Sequence, residues 1–252
     1  SPYAHWPSLD AAAQGFGGLV HANDGWVTPA IADIFPGTLM ALGVVSAIHS
    51  AQRSGKGQFL DVGMYDAMMA FQKSAVAQYG FTGKPNPAGL QRAMTLYPFD
   101  LFPTQDGRIA IAVGQPRHWD LLCAAMERAD LMDDERSFSN EARLANVDWV
   151  EEQICAWTQT QTRAEIMAKL DGAIPIGPVQ TMADIFADPH VSARDMLETC
   201  SPAGDNPDIA LAASPIKFSQ TPTTLYQRPP NLGEHNAEVL AEFGIEPSKR
   251  KD

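Results

Sequence analysis

The residue in this sequence with the clearest chemical promise is a single carboxylate, Asp33. It is followed by Pro36 and Gly37, and then by a long apolar stretch over residues 38–53. Proline is tolerated in the first turn of a helix because the amide it lacks would be unpaired there anyway. Asp33 is therefore expected at or just before a helix N-terminus. The positive end of a helix dipole favours negative charge, and first-turn N–H groups are available to an oxyanion. A carboxylate so placed can attack an activated acyl group and form a covalent intermediate. The plainer reading is an ordinary N-cap, and on position alone that reading is the simpler one.

The other reactive residue types point to less. His5, His21, His49, His118, His190 and His235 show neither HxxxH nor HExxH spacing, so no metal site is expected. His49 lies inside the apolar stretch and reads as a core histidine, and His235 stands where it could cap a helix. Cys123, Cys155 and Cys200 are far apart, without CxxC spacing or a partnering histidine. That pattern suits a reducing compartment and a cytoplasmic location. There is no GxSxG element. Gly55-Lys56-Gly57 lacks the spacer and the Lys-Ser/Thr ending of a phosphate loop and follows a helix, so it reads as a helix stop. Gly15, Gly17 and Gly18 follow no strand and make no dinucleotide fingerprint.

These residues have to be positioned by the elements around them. A short helix is expected at residues 9–14, opened by Ser8 as N-cap. The helix carrying Asp33 is expected to be buried, with its first charge at the C-terminal end, Arg53, where a cation suits the dipole. Residues 58–63 read as a short buried strand and 65–78 as a second helix. Gly80 to Leu90 is a Pro/Gly connector. Residues 97–102 and 108–113 flank Gln105-Asp106-Gly107, a strong hairpin signal. Helices are expected at 119–126, 140–159 and 163–171, the last opened by a capping box of Thr162 and Glu165. Residues 174–179 form a constrained extended piece and 183–187 a short helix. Residues 201–207 mark a second boundary. A strand is expected at 216–219, a final helix at 236–243, and a frayed charged tail at 248–252. The chain opens abruptly at Ser1, and we read it as an internal piece of a longer protein.

Composition excludes several classes. With 45% apolar and 19% charged residues the chain is an ordinary globular sequence. A net charge of −12 argues against a general nucleic-acid binder. The longest apolar run, residues 39–48, is about half a membrane span, so no membrane partner is expected.

Several ordered groups of residues resemble the core of the class III CoA-transferases, a family that also contains the α-methylacyl-CoA racemases. They are Ala32-Asp33, Gly37, Ala41-Leu42-Gly43, Gly55-Lys56-Gly57-Gln58, Asp61-Val62 and Asp66-Ala67. The likeness continues along the chain. It takes in Asp10, Ala12, Gln14 and Gly17-Gly18-Leu19, then Phe102-Pro103-Thr104 with Asp106-Gly107, then Gly177-Pro178-Val179. It ends with Asp188-Pro189-His190-Val191 and Leu232-Gly233-Glu234-His235. The resemblance implies an α/β fold: part of a Rossmann-like large domain with an inserted small α+β domain, in an interlocked homodimer. It implies residues 1–64 in the large domain, 65–94 as helix and linker, 95–200 as the small domain, and 201–252 as linker and return to the large domain.

It further implies transfer of coenzyme A between carboxylic acids, with Asp33 as covalent nucleophile and Tyr3 as a contact on the thioester side. No permanently bound cofactor and no metal are implied; the coenzyme A thioester is a substrate. The partners implied are an acyl-CoA donor, a carboxylate acceptor, a second copy, and an N-terminal segment or chain. In the racemases a histidine base stands where this chain has Tyr3, and tyrosine there is the transferase pattern; His5 is nearby but out of register. The alternatives are an α-methylacyl-CoA epimerase and a non-catalytic CoA-binding subunit. The connector near Gly83 to Gly89 carries prolines where formyl-CoA transferases have a glycine run, so oxalate is not expected as acceptor.

Overall fold

The computed structural model describes residues 2–3, 5–89, 95–202, 207–223 and 228–245. Ser1, the end of the first Pro/Gly connector at Leu90, residues 203–206 of the second boundary and the charged tail at 248–252 lie outside the described residues. The chain divides into two compact units, Ser1–Pro178 and Val179–Asp252.

The first unit opens with helices α1 (Asp10–Phe16), α2 (Leu19–Asn23), α3 (Ile31–Ser54), α4 (Met64–Phe71) and α5 (Lys73–Thr82). It continues with strands β1 (Phe99–Thr104) and β2 (Gly107–Ala112) and helices α6 (Pro116–Ala125), α7 (Asp130–Asp133), α8 (Asn140–Ala145), α9 (Val147–Thr158) and α10 (Arg163–Leu170). It closes with β3 (Ile176–Pro178). The second unit holds α11 (Met182–Ala187), α12 (Pro189–Ala193), β4 (Leu197–Cys200), β5 (Ile209–Ala212) and α13 (Asn236–Glu242).

β1 and β2 form the expected hairpin, with Thr104 opposite Gly107 across the turn, and β3 pairs antiparallel to β2. The period-2 pattern of β2 buries Ile109 and Ile111. They join Phe102, Trp119, Leu122, Val150, Ile154, Ile166 and Leu170 in one closed core. Arg143 crosses this core as a buried cation. Its Nε donates to the Tyr97 carbonyl (2.6 Å), its Nη1 donates to the Ser137 carbonyl (2.8 Å), and its guanidinium stacks over Trp119. The Thr162–Glu165 capping box at the start of α10 forms in both directions.

A second, smaller core lies among α1 to α4, built from Ala13, Leu19, Ala32 and Met68 with Val27, Ile31, Phe35 and Met64 packed on it. Gly17, the C-cap residue of α1, lies directly against the Met68 side chain of α4. A Cβ on Gly17 would stand 2.2 Å from Met68 Cβ. Gln72 Nε2 also donates to the Gly17 carbonyl. Phe35 of α3 packs edge-on against Phe71 of α4, with ring centroids 5.2 Å apart.

Several expectations are corrected. α3 is not buried: Leu42, Val45 and Ile48 are all exposed, as is His49, and only Ala32 and Pro36 of the helix are fully enclosed. Its composition asks for burial, but the described residues cover only part of its N-terminal half. At 24 residues α3 is also long and apolar enough, by length and composition alone, to cross a membrane. The count of the 39–48 run missed this because the helix continues past Ser and His residues. Residues 58–63 are irregular and none of them is buried, since no described segment pairs with them. Residues 216–219 form no strand; the strands of the second unit are β4 and β5, paired antiparallel. The expected helices at 65–78 and 140–159 each break, at Gln72 and at Asn146. Ser8 is not the cap of α1, whose N-cap position is Leu9.

The close approach of α1 and α4 yields a prediction. Gly17→Ala should force the two helices apart and lower the unfolding free energy by about 1–3 kcal/mol, read as a shift of the denaturation midpoint with α-helical content retained.

Candidate active site

Asp33 lies inside α3, as the third residue of its first turn, rather than ahead of it. The N-cap position is Ala30, which offers no side-chain acceptor. The first-turn amides nevertheless all find partners. Ile31 N–H donates to the Pro29 carbonyl (2.6 Å), and the N–H groups of Asp33 and Ile34 both donate to the Ala30 carbonyl (3.0 and 2.9 Å). Ala32 N–H donates to Asp10 Oδ1 at 2.9 Å. The first-turn amides expected to hold an oxyanion are thus already engaged within the chain. The Asp33 carboxylate is exposed and makes no hydrogen bond with the described residues.

Asp10, the first residue of α1, therefore caps α3 from another element. Its carboxylate is only 7% exposed. Oδ1 takes the Ala32 amide, and Oδ2 accepts from Trp26 Nε1 and Gln14 Nε2, both at 2.8 Å. Gln14, fully buried one turn on, also donates to the Val27 carbonyl (2.9 Å) and accepts from Val27 N–H at 3.1 Å. Burial pulls the Asp10 carboxyl upward. The hydrogen bonds from Trp26, Gln14 and Ala32 outweigh that and hold it below its ordinary value of 3.8.

Tyr3 stands at the opposite end of α1. Its ring packs on Trp6 (centroids 5.2 Å apart) and Phe16 (5.6 Å), and Phe16 continues to Tyr65 (6.0 Å). All four rings are partly open to solvent. α1 links the two candidate residues: Phe16 at its C-terminus carries Tyr3, and Asp10 at its N-terminus holds the start of α3. About 10 Å of helix separates the two attachments.

The sequence reading named Asp33 and Tyr3 but gave no role to Asp10, Gln14 or Trp26. The available signal was a polar pair at i, i+4 on an alanine-rich turn, where neither side chain suits an apolar face. The thiols are poor rivals as nucleophiles: burial first, and then the Asp120 carboxylate, push Cys123 up to about 12, and burial also raises Cys155. Among the described residues no cluster of His, Cys, Asp and Glu is arranged to hold a metal ion. His235 occupies the N-cap position of α13 without a capping hydrogen bond; its Nδ1 lies 3.4 Å from Glu238 Oε2.

The profile of CoA-transferase family III matches residues 1–236. A succinyl-CoA:mesaconate CoA-transferase from Haloarcula hispanica is 38% identical over 245 residues, which are 95% of this chain and 61% of that protein. A succinate–glutarate CoA-transferase from Agrobacterium fabrum is 34% identical over 251 residues, 96% of this chain and 62% of that one. A CaiB/BaiF family protein from Brucella suis superposes with a TM-score of 0.78 at 30% identity, covering 96% of this chain and 64% of the other. The chain thus spans somewhat less than two thirds of the length of these relatives.

The lowered pKa of Asp10 has a stability consequence. Because the folded value lies below the unfolded one, the contribution is complete above about 3.8 and is lost as pH falls through the lower folded value. Asp10→Asn should therefore flatten the dependence of unfolding free energy on pH below about 4, measured by chemical denaturation across that range.

Proposed function

The chain belongs to CoA-transferase family III, and from that membership we propose that it carries the reactive aspartate of an enzyme that moves coenzyme A between carboxylic acids, with Asp33 as covalent nucleophile. The observation that carries this reading is the state of Asp33. It is an exposed carboxylate without a hydrogen-bond partner among the described residues, on a helix start whose amides are already occupied. A structural cap would be spending its oxygens on those amides. A nucleophile needs them free.

The chemistry then runs as four acyl substitutions. An Asp33 oxygen attacks the thioester carbonyl, the C–S bond breaks, and CoA thiolate leaves behind a mixed anhydride. The thiolate attacks the aspartyl carbonyl, releasing the donor carboxylate and leaving an aspartyl-CoA thioester. The acceptor carboxylate attacks that thioester, expelling the thiolate and forming a second anhydride. The thiolate then takes the acceptor acyl group and regenerates Asp33. No proton or electron need be stored. The oxyanion of each tetrahedral intermediate requires donors other than the first-turn amides of α3, which donate elsewhere.

Tyr3, in its partly open aromatic cluster, is the proposed contact for the thioester arm. The names of the two relatives, at 38% and 34% identity, support a succinyl-type donor and a small dicarboxylate acceptor. Tyrosine in place of a base favours transfer over the epimerase alternative. The Rossmann-like large domain, the domain limits at residues 64, 94 and 200, the interlocked homodimer and the cytoplasmic location are part of the same proposal. So is a further segment or chain supplying the rest of the large domain. The open flank of α3 and the incomplete coverage of the relatives support that last element.

Trapping tests the reading. Natively purified protein treated with succinyl-CoA and then hydroxylamine should carry a hydroxamate at Asp33 by mass spectrometry. Asp33→Ala should lose the adduct and on the order of 10³-fold or more of the transfer rate. Exchange of the α-proton without an adduct would favour the epimerase; neither signal would favour a non-catalytic subunit.

A further inference from the structure

We propose that Asp10 is a positioning residue for the reaction: by taking the Ala32 amide from a separate helix, it keeps the α3 N-terminus from capturing the Asp33 carboxylate. The inference deepens the proposed function and rests on Asp33 being the nucleophile.

An aspartate at the third position of a helix has an ordinary fate. Its short side chain folds back onto the backbone N–H groups of the first turn or of the N-cap residue, as the third residue of a capping box does. The same chain shows this twice. Glu165 reaches back to the Thr162 amide (2.7 Å) and Asp184 to the Thr181 amide (2.8 Å), each from the third position of its helix. Asp33 occupies the equivalent position and makes no such bond.

The difference lies in the neighbours. Thr162 and Thr181 offer hydroxyls that complete the reciprocal arrangement, whereas the N-cap residue of α3 is Ala30. With no capping side chain, the Ala32 amide is left as an orphan donor of the first turn, open to an anion. Asp10 fills that position first, from α1, held in place by Trp26 and Gln14. The remaining first-turn amides are turned onto the Pro29 and Ala30 carbonyls.

A carboxylate that accepts helix amides is stabilised in its charged form and loses basicity and nucleophilicity. Asp10 accepts the Ala32 amide in place of Asp33. Its own carboxylate is buried, bonded on both oxygens and unable to reach a substrate, so it carries the capping role while Asp33 stays free.

The test compares the rate of Asp33 acylation with stability. In natively purified protein, Asp10→Ala frees the Ala32 amide. Acylation at saturating succinyl-CoA, followed as hydroxamate at Asp33, should slow by about 10- to 100-fold. Asp10→Asn keeps one oxygen able to accept from Ala32 and should recover part of the rate, which also guards against failure of the alanine variant to fold. Gly17→Ala serves as a stability control, since it loosens α1 against α4 without touching Asp10. Acylation in the Asp10 variants as fast as in the unaltered protein would overturn the proposal. So would slowing no greater than Gly17→Ala shows at an equal loss of Tm. In either case the functional reading stands as long as Asp33 is acylated in the unaltered protein. Absence of any Asp33 adduct there would instead remove the reading on which the proposal rests.

Discussion

Everything in the first part of this chain turns on a carboxylate buried without a cation. Asp10 is withdrawn from water, and a charge so placed persists only where hydrogen bonds replace its hydration. Three donors do so, from Trp26, Gln14 and Ala32, and each comes from a different stretch of chain. The bonds are directional, so they fix more than the charge. They set where α3 begins, how α1 lies against it, and how the segment through Val27 enters the helix. Because α1 is a rigid rod of seven residues, the same bonds also set where Phe16, and with it Tyr3, stands relative to the start of α3. One buried anion thus relates the two residues that the chemistry would use.

Two regions of the first unit stand in opposite relation to water. Residues 97–174 close on themselves. Their hairpin, helices and buried Arg143 leave a core whose large side chains are fully covered, with the cation satisfied by carbonyls and an aromatic face. The helices before them are open. α3 is apolar around most of its circumference, a composition that belongs to a helix surrounded by protein. Yet Leu42, Val45 and Ile48 are exposed, and Phe59 and Phe81 are almost wholly so. Exposed apolar area of this extent marks an interaction surface in a stable protein. The relatives are longer by more than a third of their own length, so a covering polypeptide has a natural source in the proposed assembly.

The sequence was most legible where the cause of structure is local. Asp106-Gly107 between alternating apolar residues gave the hairpin, because the turn and the pleat are encoded by neighbours. Thr162 and Glu165 gave the helix start at Arg163 for the same reason, and Gly55 ended α3 in the left-handed conformation expected of it. The larger failures are non-local. Residues 58–63 carry strand-like composition, but a strand exists only with a partner. The burial of α3 was inferred from what its residues require, not from what surrounds them. The breaks at Gln72 and Asn146 carry no proline or glycine to announce them. β4 and β5 are four residues each and flank a stretch rich in turn-formers that read as a boundary. Asp33 was named as the candidate, but its lack of a hydrogen bond to the described residues was not legible, since the first-turn amide of Ala32 is taken by an acceptor 22 residues earlier in sequence. The amides expected to receive an oxyanion were lost to the same arrangement.

That freedom has a physical cost which bears on how the site must be completed. The mixed anhydride proposed at Asp33 would be an acyl group activated toward any nucleophile, and in open water the commonest nucleophile is water. Transfer outruns hydrolysis only if the intermediate forms in a space from which bulk solvent is excluded. Asp33 stands at the surface of the described residues, and the donors that would stabilise its tetrahedral intermediates are absent from its own helix start. In the proposed reaction both requirements, exclusion of water and supply of oxyanion donors, would fall on polypeptide packed over the α3 N-terminus. Covering the apolar flank of α3 and enclosing Asp33 are then one event, because the flank and the carboxylate belong to the same rigid helix. In the proposed assembly, a polypeptide that buries Leu42, Val45 and Ile48 would also fix the wall of a reaction chamber relative to Asp33.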